Sequence, residues 1–67
     1  MPVPELTLAQ VREIARLRAR HAGAEVRAHQ RPWGVIVEVR RHGHVVEIER
    51  FDFDGATLHD QPIRLAA

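Results

Sequence analysis

Two groupings of titratable side chains in this chain could do chemistry. His42 and His44 flank Gly43, and Glu38 and Glu47 lie on either side of the same glycine. Two imidazoles at a hairpin tip, joined by His29 or His59, have a spacing that can chelate a metal. No zinc signature surrounds them, and polar residues at a tight turn need no ligand to explain them. Folding the chain at that turn sets Glu38 opposite Glu47, and paired carboxylates can raise one pKa and supply an acid and a base. Arg27 and Arg40 flank Glu38, however, and a flat sheet face lacks the dry pocket that catalysis needs. Asp52, Asp54, Gly55 and Asp60 faintly echo a calcium loop without its register, and an Asp-Gly hairpin explains them more simply. The chain contains no serine, cysteine, lysine or tyrosine, which removes most nucleophiles and all disulfides. The expectation is a non-enzymatic protein with no catalytic residue, no metal and no cofactor.

All ten basic side chains are arginine. Arg12, Arg16 and Arg20 recur at i, i+4 and i+8, a ridge that could track phosphates, with Arg27, Arg31, Arg40 and Arg41 following on the strands. Glutamate is interspersed throughout and the net charge is only +1, so the chain as a whole carries no strong field for nucleic acid. Nucleic-acid binding through Arg12, Arg16 and Arg20 is the alternative function, behind protein–protein contact.

The elements that must position these groups are well signposted. Sixty-seven residues suit one small domain, spanning 1–67, with an extended lead-in over 1–6 and an extended tail over 60–67. Thr7 and Gln10 fit a capping box, Leu6 and Val11 a hydrophobic staple, and Gly23 a left-handed stop, so a helix is expected over about Leu8–Ala22. At about 100° per residue, Leu8, Val11, Ile14, Ala15, Ala19 and Ala22 share its apolar face, with Leu17 at the margin and Arg18 a misfit inside it.

Ala24, Val26 and Ala28 alternate with Glu25, Arg27 and His29, as in a half-buried strand. Turning at Arg31–Gly34 sets Gln30 opposite Val35, Ala28 opposite Val37 and Val26 opposite Val39. The other face then matches Arg27 with Glu38 and Glu25 with Arg40. A His42-Gly43 turn continues the meander, with Val39 opposite Val46 and Val37 opposite Ile48. A short fourth strand is expected near Thr57–His59. The fold class is therefore α+β, one N-terminal helix on a three- to four-stranded antiparallel meander. In element order alone this resembles the core of double-stranded-RNA-binding domains, without their second helix and its basic N-terminal cluster.

In that register Ile36 and Phe51 point away from the helix, Phe53 continues the alternation, and Trp33 sits at the adjoining turn. Trp33, Ile36, Phe51 and Phe53 are the expected partner-binding anchors, rimmed by Arg31, Glu49 and His29. Cover from the chain's own tail, or a bulge at Arg50 that turns the phenylalanines inward, is the competing arrangement. A chain this small without disulfides gains most simply from self-association, so a homodimer or a larger protein partner is expected. No secretory leader or membrane span is legible, which points to a cytoplasmic protein without membrane contact.

Overall fold

The helix begins where the capping residues place it. In Thr7 the backbone is extended; its hydroxyl accepts from the Gln10 amide at 3.2 Å, while the Gln10 side-chain oxygen accepts from the Thr7 amide at 2.9 Å. Helix α1 spans Leu8–Arg20 and ends at His21, two residues before the expected stop, and Gly23 (φ +87°) then reverses the chain. Strands β1 (Glu25–Arg31), β2 (Gly34–Arg41) and β3 (His44–Phe51) follow as one antiparallel sheet in that order. The fold is thus a small α+β one, a helix laid on an open three-stranded meander. The computed structural model describes residues 5–58; Met1 to Pro4 of the lead-in, His59 and the tail over 60–67 lie outside them.

The first hairpin takes the expected register from Glu25 opposite Arg40 to Arg31 opposite Gly34. A Cβ on Gly34 would come within 2.0 Å of the Phe51 carbonyl oxygen, so only glycine lets β2 start this close to the end of β3. The second hairpin turns as expected, with positive φ at both His42 and Gly43, and sets Arg41 opposite His44 and Arg40 opposite Val45.

Then the register shifts. Val39 pairs with Glu47, Val37 with Glu49 and Val35 with Phe51, so Val46 is an extra residue in a β-bulge. From Glu47 onward every side chain of β3 lies on the face opposite to the one expected. Phe51 enters the core; Val46 and Ile48 are exposed.

The core consists of Ile14, Leu17, Val35, Val37, Val39 and Phe51, with Leu6, Ala24 and Val26 packed at its border. The helix is rotated relative to expectation by roughly a third of a turn. Gln10, Ile14 and Leu17 face the sheet, whereas Leu8 and Val11 are exposed, as are Ala15, Ala19 and Ala22. The physical reason is side-chain size. Ile14 and Leu17 bury far more apolar area than three alanines, and rotation also brings the arginine ridge over β3. Arg18 ceases to be a misfit, because the face it interrupts is open to water.

Beyond β3, Asp52 organises a tight loop. Its carboxylate accepts from the amides of Asp54 (2.9 Å) and Ala56 (3.0 Å), and its backbone carbonyl from Gly55. The expected fourth strand is reduced, among the described residues, to one bridge between Phe51 and Thr57 beside a Leu58 amide to Arg50 carbonyl bond of 2.7 Å. No helix among the described residues is long and apolar enough to cross a membrane.

Candidate interaction surfaces

The helix and the edge strand β3 are joined by charge. Arg16 reaches Glu13 at 2.9 Å and Glu49 at 3.4 Å; Arg20 lies 3.2 Å from Glu47 and 3.7 Å from Glu49. The His21 ring Nε2 makes a short contact with the other Glu47 oxygen. The two glutamates differ in proton affinity. Glu47 is held below the ordinary carboxylate range, first by a hydrogen bond from Glu49 and then by His21. Glu49 is pushed up, first by donating that bond to Glu47 and then by burial. Of the two carboxylates, Glu49 is thus the more readily protonated, beneath the guanidinium groups of Arg16 and Arg20. Sequence reasoning misses this cluster, although two signals point to it: a helical arginine ridge with Glu13 as its sole acidic neighbour on the helix, and alternating glutamates in a strand.

The register shift also separates the expected catalytic pair. Glu38 and Glu47 are not opposite each other; Glu38 faces Ile48 on the outer face, where Arg40 and His29 approach it at 3.9 and 3.8 Å. Among the described residues, no three His, Cys, Asp or Glu side chains converge to hold a metal ion. His42 and His44 sit exposed at their turn, and the Asp52 carboxylate is occupied by its own loop amides.

The expected aromatic patch does not assemble. Phe51 is fully buried, because the bulge turns it toward Leu17 and the valines of β2, so it is not a surface anchor. Ile36 does lie on the outer face, but half-buried between His29 and Arg50 rather than opposite Glu49. Trp33 (41% exposed) and Phe53 (37% exposed) remain at that end of the sheet, where the Phe53 carbonyl accepts from the Thr7 hydroxyl at 2.7 Å. Of the expected rim, Arg31 and His29 stay on the outer side while Glu49 faces the helix.

Of the arginine ridge, Arg16 and Arg20 are already engaged with Glu13, Glu47 and Glu49, and Arg12 is exposed.

Two apolar surfaces take the place of the aromatic patch. One is a strip on the outer face of β3, formed by Val45, Val46 and Ile48, all more than two-fifths exposed. The other is the helix stripe of Leu8, Val11, Ala15, Ala19 and Ala22. Its direction follows from helical geometry. Ile14 and Leu17 point down at the sheet and Arg16 and Arg20 point toward β3, so Val11, Ala15 and Ala22 project on the opposite flank, over β1. On β1 itself, Ala28 is exposed on the helix-bearing face although its cross-strand neighbour Val37 is fully buried. No family model, no curated protein and no solved structure matches this chain.

Proposed function

We propose that this chain is a small non-enzymatic binding module with a regulatory role, acting through protein–protein contact and associating with itself. One observation carries the proposal: the apolar stripe of the only helix among the described residues faces water instead of the sheet. Apolar surface left exposed on a small domain marks a contact surface, here one that Arg18 interrupts. A second copy laid on the stripe would also enlarge a core that is small for an independent domain. The alternative, phosphate contact along the helix ridge, has less to work with, since Arg16 and Arg20 already face carboxylates.

Molar mass by light scattering on a size-exclusion column, across a concentration series, tests the proposal. A mass of two chains is expected for the natural sequence, and Val11→Glu should lower it to one while the circular dichroism of the fold persists. A mass of one chain at every concentration would overturn self-association.

A further inference from the structure

We propose, building on that self-association, that the second copy joins at β1, its β1 running antiparallel to this one about a two-fold axis at Ala28. Three features converge on this edge. First, among the described residues β1 is an outer strand, paired with β2 without a register break, whereas β3 carries the bulge and has its end covered by the Phe51–Thr57 bridge and the Leu58 amide. Bulged and covered edges resist strand addition, and straight edges invite it.

Second, β1 is complementary to itself in charge. The register of greatest overlap sets Glu25 opposite Arg31 of the second copy at both ends, with Arg27 opposite His29 and Ala28 opposite Ala28 between them. An axis at Arg27 would oppose two arginines. An axis at His29 would oppose Arg27 and Arg31. An axis at Val26 would pair Glu25 with Arg27 but use only half the strand. The charges need little rearrangement: Glu25 now holds Arg27 at 2.6 Å, and Arg31 donates to the Gln30 carbonyl at 2.9 Å. On docking, Arg31 would turn to Glu25 of the second copy.

Third, the helix agrees with the edge. Val11, Ala15 and Ala22 project over β1, with Arg18 among them, so joining two sheets at this strand brings the two stripes side by side on one face. Small side chains allow helices to approach to about 8–10 Å. The outcome is a six-stranded sheet with both helices on one side.

Charge reversal tests the register. Glu25→Arg alone and Arg31→Glu alone each set like charges opposite each other at both ends, and each should weaken dimerisation by about tenfold. Mixing the two variants brings opposite charges together again at both ends and should restore association as a heterodimer. As a second measurement, Ala28→Cys should cross-link to itself on mild oxidation, because directly opposite Cα atoms in an antiparallel pair lie about 4.5–5.5 Å apart, within disulfide reach. The chain has no other cysteine, so the product is unambiguous. A dimer that Val11→Glu disrupts, yet that ignores both charge reversals and leaves the introduced thiol reduced, would overturn the β1 register and keep self-association. A natural sequence that stays monomeric would overturn both.

Discussion

Val39 stands directly opposite Glu47, and this pairing decides which side of the sheet is apolar. Without the extra residue Val46 in the bulge, Val39 would face a valine and the helix would cover Val46 and Ile48. With it, Phe51 fills the core and the two glutamates come beneath Arg16, Arg20 and His21. One large aromatic side chain and a charge network thus replace two β-branched residues on the inner face.

Phe51 and Phe53 therefore separate in a stability measurement. Phe51→Ala empties the centre of the core and should cost about 3–5 kcal/mol, comparable to the whole stability of a domain this size. Phe53→Ala, at a partly exposed position, should cost less than about 1 kcal/mol. Urea unfolding followed by circular dichroism reads both. Equal losses would place both rings in the core and contradict the register shift.

How much of this is legible from the residues differs sharply between the two hairpins. In the first, small or apolar residues pair on one face and opposite charges on the other, so both faces specify the same register and the structure adopts it. The capping box is equally clear, because its bonds are local to Thr7 and Gln10. In the second hairpin the regular register also looks consistent, apart from the Glu38–Glu47 clash. That clash marks the error. A bulge turns over everything beyond it, and the competition between burying Phe51 and burying Val46 with Ile48 depends on where the helix lies. The helix rotation is hidden for the same reason: counting apolar positions weights alanine like leucine, and Arg16 and Arg20 have partners far along the chain. Of the expected anchors, Phe51 is lost with the register.

Gln10 is the buried polar residue of the core, 1% exposed, and it is fully used. Its oxygen accepts from the Thr7 amide and its nitrogen donates to the Asp52 carbonyl at 3.0 Å, tying the helix start to the loop after β3. Gln10→Ala should cost about 1–3 kcal/mol, since it strands the Thr7 amide and removes one of the two bonds to the Asp52 carbonyl, which keeps Gly55. Gln10→Glu keeps the acceptor but sets a carboxylate against the Asp52 carbonyl, so it should not rescue. Urea midpoints decide; a Glu variant as stable as the natural sequence would show that the bond to Asp52 contributes nothing.

The outer strip on β3 should be separable from self-association at β1. Ile48 faces Glu38 across the sheet, so Ile48→Arg introduces a complementary cross-strand pair on an exposed face. Stability should stay within about 0.5 kcal/mol. Molar mass should not change, because β3 lies on the far side of the sheet from β1. Loss of the dimer in this variant would move the contact to the outer face.

The opposite shifts of Glu47 and Glu49 make stability depend on pH with opposite signs at the two positions. Glu49, pushed up by its bond to Glu47 and by burial, favours the protonated form when folded. Its contribution is present below the ordinary glutamate range and is lost as pH rises through its folded value. Glu47, held down by Glu49 and His21, contributes above the ordinary range, and that contribution is lost as pH falls through its folded value. Glu49→Gln supplies a donor that never titrates, so relative to the natural sequence it should gain stability as pH rises from about 4 toward 7. Glu47→Gln gives up its pairing with Arg20 and His21 and should be less stable near neutrality by about 1 kcal/mol, the gap closing on acidification. Urea midpoints measured between about pH 3 and pH 7 for the three proteins show both trends. Differences that stay constant with pH would mean that neither carboxylate is shifted on folding.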